Sequence, residues 1–428
     1  MKKTIILGPI VLLLFASPLL MANGLNLNGL GARAISMGGA FVGLADDYSA
    51  VFWNPAGIAR FKNKTLGFSG DLIMPTATYE LEIAGTTLID AQAKSKTYPS
   101  GIAAYYHPIT DKLVAGLGIY TPSGLGAEWD GSDFYIPLLS PIQTKPYKQK
   151  SFIGVVTISP AVAYQVSDAV SVGASLNINY GFFNLSRWAG GTVVPVPPFL
   201  IDFGQYEEES TGWGIGATLG VLVEPCDKFS LGLTFRTPTK VSMSGEASIS
   251  NFSLLGFPGS SEFDREVTYP MWLAGGIAFH PIENLTFTLD AQYTNWAKLD
   301  ELETEFKDTI WKSAMAGTAA DVMELKWEDA VQIRFGAEYW LNKVAFRAGY
   351  YYDPAPAPDE TMNVLIPSYT FNGFTFGIGY KMNDLHVDAM LEYLVGKERN
   401  VAVNAVNQQP GIYNLSIIAP GISISYMW

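Results

Sequence analysis

The 428-residue sequence is poor in the groups that carry most covalent and metal chemistry: it has one cysteine, Cys226, and three histidines, His107, His280 and His386. A lone cysteine excludes an internal disulfide framework, and no Cys/His spacing suits a metal. His107 and His280 each precede a proline in a short turn, and His386 opens a strand close to Asp388. None lies where a lipid-cleaving Ser-His pair would work, so the sequence offers no catalytic residue and reads as a non-enzyme. It also offers no phosphate loop and implies no cofactor. Charged residues are only 16%, with a net charge of −13, which argues against nucleic acid as a partner. Long apolar runs are missing too, except at the start. There, Lys2 and Lys3 precede "IILGPIVLLLFASPLLM" and a small residue, Ala22. Residues 1–22 read as a secretory signal peptide. No later run approaches the ~18 apolar residues of a membrane-spanning helix.

What the chain has in quantity is glycine (42), phenylalanine (24), tyrosine (22) and tryptophan (10). Its dominant pattern is strict alternation. In "FTFGIGYKM", Phe374, Phe376, Ile378 and Tyr380 oppose Thr375, Gly377 and Gly379. In "NLTFTLDAQY", Leu285, Phe287 and Leu289 oppose Thr286, Thr288 and Asp290. A period of two means β-strand. Strands are predicted near 65–75, 99–106, 112–120, 151–166, 169–184, 210–224, 228–241, 268–280, 284–297, 329–341, 343–352, 370–382, 385–396 and 415–427, fourteen in all.

Their connections alternate in length. Short turns such as "HPITD", "EPCDK" and "MNDL" separate long stretches at 76–98, 121–150, 185–209, 242–267, 298–328, 353–369 and 397–414. Even strand number and short-long alternation describe an all-β, 14-stranded antiparallel transmembrane β-barrel in the outer membrane of a Gram-negative bacterium. A soluble β-sandwich would alternate similarly. Against it, the apolar face gathers tyrosines near strand ends (Tyr180, Tyr293, Tyr339, Tyr350, Tyr380, Tyr393), as an interfacial girdle does.

The other face carries Asp290, Arg334, Glu338 and Arg347 among Ser, Thr, Asn and many glycines. A barrel of this size leaves an aqueous interior unless something fills it. Residues 23–62 precede the first strand and are placed to plug the lumen as an N-terminal hatch, leaving 63–428 for the barrel. Three of the long loops are unexpectedly apolar: "FYIPLLSPI", "RWAGGTVVPVPPFLIDF" and "NFSLLGFPG". Exposed apolar patches mark interaction sites, and here they suit either a packed roof or the capture of a greasy ligand.

These residues resemble the outer-membrane long-chain fatty-acid and hydrocarbon transporters of the FadL/TodX type. "GLGARAISMGGAFVGLADDYSAVFWNPAG" is similar to that family's hatch, with its signature at Asn54, Pro55 and Ala56. "GIYTPSGLGAEW" is similar to the third strand and its continuation, and "FRAGYYYDPAPAPDETMNVLIPSYTFNGFTFGIGY" to the C-terminal half. The resemblance implies passive uptake of hydrophobic molecules, either fatty acids or aromatic or aliphatic hydrocarbons, by a monomer set in outer-membrane lipid and lipopolysaccharide.

By the same resemblance, substrate is caught in a groove between loops 185–209 and 242–267 (Trp188, Val194, Phe199, Phe252, Leu255, Phe257). It then leaves sideways at a kink near Pro122, Ser123 and Gly124, where proline breaks a ladder and glycine permits a bend. Arg187 matches a basic position expected near a bound carboxylate. A general diffusion porin and a structural or secretion-associated barrel are the alternatives.

Overall fold

A computed structural model describes residues 24–137, 140–195 and 198–428, with the side chains of 194–198 set aside. The expected signal peptide therefore lies outside the described residues. Among these, fourteen strands form one antiparallel, closed sheet. They are β1 (Thr65–Ile83), β2 (Tyr98–Pro108), β3 (Leu113–Trp129), β4 (Gln149–Ser167), β5 (Val170–Trp188) and β6 (Gln205–Cys226). Next come β7 (Phe229–Arg236, resuming as Thr239–Ile249) and β8 (Ser260–Tyr269, resuming as Trp272–Ile282). The last six are β9 (Leu285–Thr294), β10 (Ala330–Leu341), β11 (Val344–Asp353), β12 (Phe371–Met382), β13 (Leu385–Gly396) and β14 (Gly411–Met427). β14 pairs with β1 from Thr65↔Met427 to Glu80↔Ile412, so no edge remains open at the seam.

The strand phase follows the sequence pattern. On β12, Phe374, Phe376, Ile378 and Tyr380 face out, and Thr375 is buried. On β9, Thr288, Asp290 and Gln292 face in, while Phe287 and Leu289 face out. Two of the short turns, at Asn342 and Asn383, require a left-handed backbone (φ 54° and 55°), which asparagine tolerates well. Several strands run further at their long-loop ends than the apolar alternation predicted. β1 reaches Ile83, and β6 begins at Gln205. In these extensions the outward residues turn polar, as at Glu207 and Glu209, while the inward ones stay buried: Ala77, Tyr79 and Leu81 on β1, and Tyr206, Glu208 and Ser210 on β6. A strand that leaves the bilayer no longer needs a greasy outer face, so the usual signal disappears where the strand does not.

Residues 24–61 lie inside the ring of strands and are almost wholly buried. Two short helices, α1 (Ala32–Ser36) and α2 (Ala50–Trp53), precede a 3-10 turn, Pro55–Arg60. α2 stops because Asn54 must be extended before proline (φ −156°, ψ 103°), and Pro55 then opens the next turn without losing a hydrogen bond. The lumen-facing glycines of the strands make room for this segment. A Cβ on Gly349 would sit 2.0 Å from the Gly38 nitrogen, and one on Gly232 would sit 2.0 Å from the Val42 oxygen.

Polar groups lock the same contact. Arg33 donates to Glu338 through Nε and Nη2 (both 2.8 Å), and Arg347 bridges Glu338 (2.6 Å) to Asp388 (2.7 Å). Val42 N–H donates to Asp290 (2.7 Å), and Arg334 donates to the Gly38 carbonyl (3.0 Å).

Candidate functional site

Above the N-terminal segment the lumen face changes character. On β1 the inward residues run Ser69 and Asp71, then Ala77, Tyr79 and Leu81. On β13 the inward residues are Asp388, Met390, Glu392 and Leu394, apolar at the upper end. The apolar half encloses a cavity of ≈ 360 Å³ between Asn28, Gly29 and Ile35 of the N-terminal segment and a roof that includes Trp129 and Tyr369. The roof is fixed by hydrogen bonds from loop 353–369. Trp129 Nε1 donates to the Val364 carbonyl (3.0 Å), and Ser151 donates to the Leu365 carbonyl.

The cavity meets the wall at β3. There the pairing with β4 jumps from Tyr120↔Thr157 to Ser123↔Val155, a bulge of one extra residue at Thr121–Pro122. β2 pairs with β3 only as far as Ile102↔Tyr120. Beyond that point the backbone ladder with β2 ends, Thr121 Oγ1 still accepting from Gly101 N–H (3.1 Å), and the start of the described chain takes up the β3 edge. Gly124 N–H donates to the Leu25 carbonyl (3.1 Å), and Leu27 N–H donates to the Pro122 carbonyl (3.0 Å). The Ser123 hydroxyl donates to Asn26 Oδ1 (2.9 Å).

The cavity lining includes lumen-facing Ser123 and Val155, and also Phe152 and Phe182 on the alternate positions that face away from the lumen. Phe152 packs on Tyr98 and Phe182, with ring centroids 5.7 Å and 5.1 Å apart. A Cβ at Gly124 would meet nothing within 4 Å. A second, smaller cavity of ≈ 40 Å³, more polar, lies on the other side of Asn26 and Ser123.

The residues singled out from the sequence fall into three groups. Pro122, Ser123 and Gly124 stand together at the bulge, Ser123 and Gly124 in the cavity wall. Asn54, Pro55 and Ala56 are buried away from the cavity. Asn54 Nδ2 donates to the Val42 and Val221 carbonyls (both 3.0 Å), and its Oδ1 accepts from Ala56 N–H (3.1 Å).

The loop residues form the third group. Loops 185–209 and 242–267 adjoin: Asn251 Nδ2 donates to the Asp202 carbonyl (2.9 Å). Phe252 is buried against Phe203, Phe257 and Trp311, with Leu255 beside this cluster. Phe199, on the hairpin Gly191–Pro195/Pro198–Asp202, and Phe257 are exposed. The Val194 side chain lies outside the described residues. Trp188 Nε1 donates to Asp202 (2.9 Å), which also accepts from Thr144 and Tyr147 (both 2.6 Å). Burial works against the Asp202 charge, but these donors hold its carboxyl down to about 2. Arg187 lies at the end of β5 with its guanidinium 5.2 Å over the Tyr206 ring, apart from the cavity lining.

Sequence reading missed the cavity walls (Trp129, Tyr369, Leu394, Leu415) and the strand-like role of Leu25–Leu27. A usable signal was present for the walls. The inward register of β1 turns from polar to apolar along one strand.

Known proteins share this architecture. Residues 13–418 match the family described as outer membrane protein transport protein (OMPP1/FadL/TodX). Outer membrane protein P1 of Haemophilus influenzae is 24% identical over 435 residues, covering 90% of each chain. The long-chain fatty acid transport protein of Escherichia coli K12 is 24% identical over 423 residues, covering 88% of this chain and 87% of that one. A Pseudomonas aeruginosa FadL homologue shares the fold at a TM-score of 0.74 and 17% identity, covering 95% of this chain and 99% of its own. The Ralstonia pickettii toluene transporter TbuX does so at 0.69 and 20%, covering 94% and 99%. The chain is thus an outer-membrane β-barrel of the transport type rather than an enzyme, and it belongs to the OMPP1/FadL/TodX family of outer membrane transport proteins.

Proposed function

We propose that the protein takes up hydrophobic molecules passively, long-chain fatty acids or aromatic or aliphatic hydrocarbons, as a monomer surrounded by outer-membrane lipid and lipopolysaccharide. The observation that carries this reading is the cavity lined from both faces of the barrel wall at the β3 bulge. Substrate is captured on the apolar loops, around Phe199 and Phe257. Each Å² of apolar surface buried there contributes ~25 cal/mol. A carboxylate head, where the substrate has one, meets Arg187 at this level. The molecule passes to the cavity and leaves sideways past Gly124 into the bilayer. Asn54–Pro55–Ala56 holds the hatch in shape, and the Leu25–Leu27 segment bordering the bulge is the part that moves. A general diffusion porin fits less well, because a packed N-terminal segment occupies the lower lumen.

The test is uptake of labelled oleate and labelled toluene by cells deleted for their own transporter. Expression of this chain should raise uptake of at least one; no gain with either overturns the reading. Gly124→Trp should cut the gain about tenfold or more while the barrel keeps its heat-modifiable gel mobility. Its side chain would enter open space rather than the packed wall. Undiminished uptake in that variant would remove the lateral exit.

A further inference from the structure

The cavity wall is apolar, but its floor is not. Asp71 on β1 and Glu392 on β13 both line the cavity. Asp71 is 4% exposed, and its Oδ2 has no hydrogen-bond partner among the described residues; its Oδ1 accepts only a long bond from Ser69 (3.3 Å). The carboxyl leans across β14 at Gly421, where a Cβ would lie 2.2 Å from Asp71 Oδ1. Glu392 accepts from the Tyr351 hydroxyl (2.7 Å).

No matching cation is at hand. Lys94 is the one cationic side chain among the described lining residues, and it pairs with Glu128 (3.3 Å). The guanidinium groups below are taken up by Glu338, Asp46, Gln332 and Asp388.

A buried acceptor without a donor is costly, and a carboxylate ligand would add like charge to a site already lined by four carboxyl groups, those of Asp71, Glu128, Asp353 and Glu392. A hydroxyl aimed at Oδ2 would supply the missing donor. Sites built to hydrogen-bond a ligand hydroxyl discriminate strongly against analogues lacking it. We infer that the inner cavity takes a neutral hydrophobic molecule bearing a hydroxyl group, a phenol-like compound, in preference to a bare hydrocarbon or a carboxylate, with Asp71 as the acceptor. This rests on the uptake reading above and narrows its substrate class.

The experiment is calorimetric titration of the full chain in lipid nanodiscs with p-cresol, toluene and p-toluate, against empty nanodiscs. The three probes share one ring and differ in the polar group. p-Cresol should bind about tenfold tighter than toluene, a difference of about 1.4 kcal/mol, and p-toluate weakest. Asp71→Leu should bring p-cresol to the toluene value and leave toluene within about twofold. Asp71→Asn, which keeps an acceptor oxygen, should retain most of the preference. Equal binding of p-cresol and toluene, a p-toluate affinity matching p-cresol, or a preference surviving Asp71→Leu overturns the inference. If Asp71→Leu does not fold, the three ligands on the unmodified chain and on Asp71→Asn decide it. Toluene binding without any preference, or no binding of any probe, overturns this inference; the uptake reading falls only if neither oleate nor toluene uptake is raised in cells.

Discussion

The lower and upper halves of the lumen are built from the same strands and the same alternation, yet they solve opposite problems. Below, inward residues are glycine or charged: Gly232, Gly349, Asp290, Arg334, Glu338. They face a folded segment of the same chain, which fits them backbone to backbone and ion to ion. Above, inward residues are mostly aliphatic or aromatic and surround a cavity, and a buried charge such as Glu208 is held in a pair with Arg265 (2.6 Å). Permanent protein contact tolerates buried charge because each partner can be positioned. A space meant for a changing apolar guest cannot supply such partners, so it is lined with side chains that ask for none. Exceptions such as Asp71 and Glu392 stand at the border between the halves.

The comparison can be broken most forcefully at the glycine seats. Gly349→Val would place a branched side chain where the backbone of Met37 and Gly38 now lies, 2.0–2.4 Å from its Cβ. The barrel wall outside this position is unaffected, so the strands should assemble and the N-terminal segment should fail to seat. The expected result is a steady single-channel conductance in planar bilayers, against a nearly silent unmodified protein. A silent Gly349→Val barrel would mean that something other than residues 24–61 closes the lumen.

Next in size is Glu338→Ala. It strips the buried guanidinium of Arg347 and the partly buried one of Arg33 of a shared, buried carboxylate at 2.6 Å and 2.8 Å. Breaking such a buried network costs about 3–5 kcal/mol. Glu207, in an exposed pair with Lys148 (3.0 Å), provides the contrast. Glu207→Ala should change stability by less than about 1 kcal/mol. Denaturant midpoints of both variants in the same lipid give the answer; comparable losses would refute the distinction drawn between the two settings.

How far each half could be read from the sequence differs for a physical reason. Strand number, phase and turns were legible because a bilayer imposes apolar residues on every second position, and Phe374, Phe376 and Ile378 obey it. The strand extensions, such as Ile83 and Gln205, were not, since water outside the wall lifts that constraint. The β3 bulge beside Pro122–Gly124 was legible as an irregularity because proline interrupts any ladder. The loop aromatics were legible only in part. Phe199 and Phe257 are exposed as a capture surface requires, but Phe252 is core, and composition alone does not separate a patch from the pin that holds it. Asp71 gave no signal at all. An inward aspartate looks like any lumen residue until the absence of a partner is seen in three dimensions.

The smallest expected effect lies within the hatch and sharpens the idea that charge is tolerated below only where it is paired. Burial pushes the Asp47 carboxyl up to about 6, despite the opposing pull of Arg33 and of hydrogen bonds from Ser49 (2.8 Å and 2.6 Å). A carboxyl whose pKa is higher folded than unfolded (~3.9) favours the folded state fully below the unfolded value, and that contribution is lost as pH rises through about 6. Between pH 4.5 and pH 7.5 the seated hatch should therefore lose some stability through this group. Asp47 is partly open to solvent, so screening keeps the effect small. Asp47→Asn, which cannot titrate, should flatten this part of the pH dependence of thermal unfolding, leaving the mid-range curve of the variant shallower than that of the unmodified chain. If both curves fall equally between pH 4.5 and 7.5, Asp47 is as well solvated inside the barrel as in the unfolded chain, and the hatch admits more water than its packing suggests.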